Sequence, residues 1–191
     1  VFGGYTRHFL AYMEFSMKAA IENNNKNSLG EVSFEEISAN LGILKNYKPM
    51  LKKFWKQGVF EDETSRYWSL INRVDPANTP IEKSLLLVDR QYEEFREDFN
   101  KFADGNSGYF DRMLHYDFNT LLPALLQVED RVSMASGLES RVPFVDHKLV
   151  EFVFSIPTSI KFKHGNLKHL LKTAFSPSLP KSIVEREDKM G

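Results

Sequence analysis

The chain contains no cysteine, which excludes disulfide scaffolds, thiolate zinc sites and a cysteine nucleophile within it. It has no run approaching the roughly 18–20 consecutive apolar residues that cross a bilayer. The opening Val1-Phe2-Gly3-Gly4-Tyr5 shows neither the basic start nor the cleavage site of a secretory signal, and the lack of cysteine fits an expected cytoplasmic, reducing setting. A formal net charge of −1 provides no global positive field for neutralising phosphates, so neither nucleic acid nor membrane is expected as a partner. The five histidines have no ligand spacing: His164 and His169 do not share a helical face, and no metal site is expected. Alternating strand patterns are almost absent, as are internal repeats and low-complexity linkers.

What the sequence does have is a core. Its 191 residues are 42% hydrophobic and include sixteen Phe, enough for one globular unit. Helical periodicity dominates. Residues 6–23 read as a helix burying Phe9, Leu10, Met13, Met17 and Ile21, followed by a polar loop at 23–27. Ser33-Phe34-Glu35-Glu36 has the Ser-x-x-Glu form of a capping box, opening a helix that Gly42 ends or interrupts. A short helix follows Pro49 through Leu51, Phe54 and Trp55. Residues 61–79, punctuated by Pro76 and then Pro80, read as the least ordered part. Residues 81–102 form a charged amphipathic helix whose charges are a solvated face, and 104–108 a loop.

The second half is more explicit. Residues 121–136 are a helix with Pro123 in its first turn and Gly137 stopping it. Residues 139–144 are mostly extended, because the residue before Pro143 avoids helical angles. Asp146 caps a helix running to about Ser155, and 166–175 form another, closed by Pro177 and Pro180. The fold class expected for the chain is all-α.

On a wheel of about 100° per residue, Leu121, Leu122, Leu125, Leu126, Val128, Val132 and Ala135 fill one arc. Glu129 falls near its middle, with Ser133 and Ser136 beside it, while Asp130 lies opposite and Arg131 at one margin. A carboxylate buried among apolar groups needs a partner, and Arg131, Arg141, Lys168 and Lys189 are the cations on offer. The pattern leaves two readings open: a structural ion pair fixing the helix, or an acidic group lining a site.

The run from Val128-Glu129-Asp130-Arg131 through Ser133-Met134-Ala135, Leu138-Glu139-Ser140-Arg141-Val142-Pro143-Phe144-Val145-Asp146 to Leu149-Val150-Glu151-Phe152 resembles the asparagine synthetase family, whose members carry D-R-x-S-M-A-x-x-L-E-x-R-x-P-F-L-D-x-x-L-V-E-F there. Val145 stands where Leu is usual. Tyr116-Asp117, Leu121-Leu122-Pro123, the stretch Lys168 to Lys172 (family K-x-x-L-R) and the tail Leu179-Pro180, Ile183, Arg186 to Gly191 (L-P-x-x-I-x-x-R-x-x-K-x-G) agree with it. Val1 to Tyr5 resembles the end of the family's G-D-G-x-D-E-(L/V)-F-G-G-Y loop. The resemblance is specific over 109–191 and 1–8, with 9–108 fitting as a variable helical portion.

That resemblance implies the helical C-terminal part of an α/β, ATP-pyrophosphatase-like synthetase domain. Val at position 1 and the abrupt end at Gly191 read as a piece of a larger protein. The phosphate-cradling S-G-G-x-D-S loop, the acidic pair and the glutaminase domain with its Cys nucleophile would be the missing partners, along with ATP and Mg2+. No cofactor is expected in the piece alone. It also implies the reaction: ATP adenylates a carboxylate, releasing pyrophosphate, and ammonia from glutamine attacks the acyl-adenylate. Glu129, Arg131 and Lys189 would be catalytic; Asp130, Lys168, Gly3 and Gly4 would bind substrate. Glu139, Arg141 and Asp146 read as scaffolding. The acceptor is aspartate in the namesake reaction; sugar acids and β-lactam precursors are alternatives within the class. A non-catalytic helical interaction module is the alternative outside it. Dimerisation through exposed apolar helix faces is a further expectation.

Overall fold

A computed structural model describes residues 2–22, 32–74, 79–82, 85–86, 88–101 and 108–186. Regular structure among them is helical throughout, as periodicity requires. The loop expected at 23–27, the loop expected at 104–108 apart from Gly108, and Lys189 lie outside the described residues.

Helix α1 (Thr6–Ile21) runs through the centre. Its first half is buried on nearly every side: Thr6, His8 through Glu14, and Ser16 are all covered, the pattern of a core helix and not of a surface one. The expected stripe therefore holds for Phe9, Leu10 and Met13, while Ile21 at the far end is exposed. Around α1 pack α2 (Phe34–Ser38), α4 (Glu63–Ile71) and α6 (Tyr109–Asn119). Helix α5 (Val88–Asn100) lies against α4 and α6, and places Phe95 and Phe99 in the core. Aromatic rings supply much of that core. Phe110 stacks on Phe162 with centroids 4.5 Å apart, and Tyr67 stacks on Phe99 at 5.3 Å, offset geometries that add to plain area burial.

Caps sit where the sequence signals them. Ser33 Oγ accepts from Glu36 N at 3.3 Å, and a 3-10 turn (Leu41–Tyr47) takes over around Gly42 before α3 (Lys48–Lys56). Asp146 Oδ1 accepts from Lys148 N and Leu149 N to start α8 (His147–Ser155). Gly137, at φ +67°, ends α7 (Leu121–Ala135) in a left-handed turn. The strap that follows is extended until Pro143–Val145, which forms a single 3-10 turn. Two short helices, α9 (Thr158–Lys161) and α10 (His169–Phe175), and a last turn α11 (Lys181–Val184) complete the chain.

Residues 61–79 depart from expectation. They contain α4, opened by Asp62 Oδ1, which accepts from Thr64 N and Ser65 N. Its buried residues are Thr64, Arg66 and Tyr67, so no apolar stripe announces it. What stabilises it is distant in sequence: Arg66 Nε and Nη2 donate to the two oxygens of Glu14 on α1, and Nη2 also to the Phe54 carbonyl. Both charged side chains are about 4% exposed. Breaking such a pair from one side strands a buried charge. Arg66→Ala is therefore expected to cost about 3–5 kcal/mol in urea unfolding, and Glu14→Gln combined with Arg66→Met to cost less than Arg66→Ala alone.

Candidate functional site

The N-terminal turn and the start of α10 meet. Gly3 adopts φ +63°, and a Cβ there would come within 2.6 Å of Phe110 Cζ, so only glycine fits. Its carbonyl accepts from Lys168 N at 3.3 Å. Gly4 leaves the space through which the Lys168 side chain passes: a Cβ would clash with Lys168 Cε and sit 3.1 Å from Cγ. Lys168 itself holds a left-handed backbone at φ +57°, a conformation that costs a non-glycine residue and persists where surroundings enforce it. The sequence-derived trio Gly3, Gly4 and Lys168 is thus one physical unit.

Lys168 divides two cavities. On one side lies a polar cavity of about 560 Å³ whose lining includes Lys45, Lys168, Lys172 and Arg186, together with Thr6 and Asn166. Four cations around one cavity make a place for an anion with several oxygens, such as a phosphate group. On the other side lies a largely apolar cavity of about 440 Å³, bordered by Phe2, Leu114, Phe118, Leu121, His8 and Lys168.

The turn is anchored from below by a buried polar cluster. Asp117 on α6 accepts from Arg7 Nη2 at 2.5 Å and His8 Nε2 at 2.8 Å through Oδ2, and from Tyr67 Oη at 3.2 Å through Oδ1. Arg7 Nε donates to Tyr67 Oη at 3.2 Å, and the Arg7 guanidinium lies 3.9 Å over the Tyr5 ring. Burial pushes the Asp117 carboxyl up, but the hydrogen bond and field of His8 and the charge of Arg7 outweigh it, leaving it below its ordinary value of 3.8. Burial carries His8 below 6.5, against the opposing pull of Asp117, and raises the Tyr67 phenol well above 10. At neutral pH the cluster is therefore an ionised carboxylate between a guanidinium, a neutral imidazole and a phenol. Sequence reasoning passed over it; the one trace was Asp117 within the quoted Tyr116-Asp117 pair.

Helix α7 carries the other sequence-derived residues. Its wheel is correct, for Glu129 shares a face with Leu125, Val128 and Val132, but the face is open: these three are 49%, 63% and 66% exposed. Glu129 is consequently exposed, contrary to the burial expected of it. The helix packs chiefly on α6, and the arc around Glu129 has no cover among the described residues. No cation pairs with Glu129 there; Ser140 Oγ donates to its Oε1 at 2.9 Å, tying α7 to the strap. Asp130 and Arg131 are exposed. Glu139 and Arg141 form an ion pair at 3.0 Å, on the surface.

Among the described residues the chain is helical, with a glycine turn, a cation-lined cavity and an open helix face. The asparagine synthase family model matches residues 1–191, and the chain belongs to that family. It is 38% identical over 104 residues to the glutamine-hydrolyzing asparagine synthetase 3 of Bacillus subtilis strain 168, covering 52% of this chain and 17% of that protein. It is 30% identical over 114 residues to asparagine synthetase 1 of the same strain (58% and 18%), and 45% identical over 60 residues to the glutamine-hydrolyzing asparagine synthetase of Cricetulus griseus (30% and 11%). The matched stretches thus span less than a fifth of each relative. No solved structure matches the chain.

Two outcomes follow from this geometry. A folded-state pKa below the unfolded one means that stability is present above the unfolded value and drains away as pH falls. For His8 the loss begins below about pH 6.5, and for Asp117 only below about pH 3.9. Urea unfolding at several pH values should show stability falling between pH 7 and 5, and His8→Gln should flatten that slope. Gly4→Ala should expel the Lys168 side chain, seen as a changed Lys168 Nζ environment in NMR of labelled lysine, with the helical content retained.

Proposed function

We propose that the chain forms the helical wall of the synthetase site in an ATP-dependent, amide-forming ligase of the asparagine synthetase type. The observation that supports the reading best is that Lys45, Lys168, Lys172 and Arg186 line one cavity. In the proposed reaction ATP supplies the adenylyl group that activates a carboxylate, and ammonia then displaces AMP to give the amide. The parent domain in this reading is α/β and cytoplasmic, and the glutaminase and phosphate-cradling segments are partners within the same polypeptide. The acceptor is aspartate, as the relatives' names suggest, or another small carboxylate.

The residues present fit the polyphosphate. Lys168 and Lys172 would hold its oxygens and offset negative charge as pyrophosphate departs, with Gly3 and Gly4 shaping the approach of Lys168 and Lys189 adding a further cation. Glu129, held by Ser140, would face the incoming ammonia from α7, with Arg131 and Asp130 flanking it. They do not fit a metal: among the described residues no group of three His, Asp or Glu side chains is placed to hold one, and Mg2+ ligation is assigned to none of them.

Pyrophosphate release from ATP by the complete ligase, measured with and without a carboxylate acceptor, tests the reading. Lys168→Ala and Glu129→Ala should each lower the acceptor-dependent rate by about 10²-fold while leaving the circular dichroism unchanged. Normal rates in both folded variants would remove the site assignment. Absence of any acceptor-dependent release would favour a non-catalytic helical module.

A further inference from the structure

Helix α1 begins without a cap. Tyr5 at its N-cap position offers no side-chain acceptor to the helix, and the first turn carries no acidic residue. The first N–H groups of any α-helix lack an intrahelical acceptor. Here His8 N turns back to the Tyr5 carbonyl at 3.0 Å, which leaves the N–H groups of Thr6 and Arg7. The aligned peptide dipoles of a 16-residue helix place partial positive charge at the same end.

Gly4 and Thr6 bring that end to the wall of the cation-lined cavity. Thr6 is 6% exposed, and its hydroxyl makes no hydrogen bond among the described residues. The side-chain polar atom there that is shut off from both a partner and the surface is His8 Nδ1, not Thr6 Oγ1. The Thr6 hydroxyl is thus unpaired yet reachable, and it is reached from the cavity that Thr6 lines. A largely buried hydroxyl in this state calls for a partner. The rest of the lining decides which kind. Lys45, Lys168, Lys172 and Arg186 border the cavity and, among the described residues, no Asp or Glu does. The helix end and the side chains around it therefore present charge of one sign.

We propose that the start of α1 is an anion subsite of this cavity. Thr6 Oγ1 and the N–H groups of Thr6 and Arg7 donate to the oxygens of a phosphate group, and the surrounding cations balance its charge. The ligand class is a free phosphate-type anion, held without a nucleotide; inorganic phosphate and inorganic pyrophosphate share that chemistry. Placing pyrophosphate there as a product rests on the ligase reading. The subsite itself rests on the helix end, the unpaired hydroxyl and the charge of the lining. Thr6 is what separates it from a general basic surface, since lysines attract any anion, whereas a fixed hydroxyl beside two N–H groups selects one with several oxygens.

The 191-residue chain, free of nucleotide, is titrated with pyrophosphate, phosphate and, at matched ionic strength, acetate, followed by nitrogen-15 amide NMR and calorimetry. Both phosphate compounds should bind and shift the Thr6 and Arg7 amides, and acetate should not. Tighter binding of pyrophosphate assigns the subsite to one end of a diphosphate; equal binding assigns it to a single phosphate group. Thr6→Val keeps the shape and removes the hydroxyl, and should weaken binding of the phosphate compounds by about tenfold; Thr6→Ser should restore it. Circular dichroism checks that Thr6→Val folds, and if it does not, the amide shifts of the unaltered chain and the binding by Thr6→Ser still decide. Unmoved amides, unchanged binding by folded Thr6→Val, or no binding of either phosphate compound would each overturn the subsite. Acetate shifts of the same size would reduce it to a general basic surface and overturn it as well. Acceptor-dependent pyrophosphate release by the complete ligase separates the two claims. Expected binding without any such release leaves the subsite and removes the ligase reading; release with unchanged binding by Thr6→Val leaves the reading and removes the subsite.

Discussion

The structure turns on one carboxylate. Asp117 accepts from Arg7 and His8 on α1 and from Tyr67 on α4, so a single buried anion joins three helices whose residues are 50 to 110 positions apart in the chain. Desolvating a carboxylate is expensive, and three donors with one full positive charge are what make it tolerable. Because Arg7 and His8 sit directly after the glycine turn, fixing them fixes Gly3 and Gly4. The turn in turn fixes Lys168, through a backbone hydrogen bond and a side-chain channel. A polar cluster in the core thus sets the position of a cation at the surface.

This chain of constraint explains why the residues assigned to chemistry are not the buried ones. Lys168 and Lys172 border open cavities, and Glu129 lies on a helix face that nothing described covers. Val128 and Val132 are among the more exposed aliphatic side chains of the described residues, and a contiguous open apolar face of this kind marks a surface that other groups cover. In the proposed ligase, the nucleotide-binding segments would meet that face. Glu129, being exposed, takes a hydroxyl donor from Ser140 and needs no cation to remain there.

Much of the fold was legible because its signals were local. Ser33 and Asp146 announce their helices by hydrogen-bonding chemistry within three residues, and Gly137 ends α7 because only glycine takes its turn cheaply. The wheel for α7 identified the right arc but not its environment, since periodicity tells which side chains share a face and not whether anything lies against it. Helix α4 escaped notice because its buried face is Thr64, Arg66 and Tyr67, a polar set whose burial depends on Glu14 and Asp117 far away; the Asp62 cap was the one local hint. The site divides in the same way. The glycine turn and Lys168 were visible through resemblance, whereas the cation-lined cavity and the His8 cluster are products of tertiary contact.

The charge state of Asp117 is the point on which the arrangement rests, and carbon-13 NMR of its side-chain carboxyl, followed against pH in the folded chain, reads it directly. A titration midpoint clearly below the ordinary value of 3.8, sensed in step by the His8 ring, is the expected result. A midpoint at or above that value would show a desolvated carboxyl without effective donors, and would contradict the placing of the glycine turn and Lys168 by this cluster.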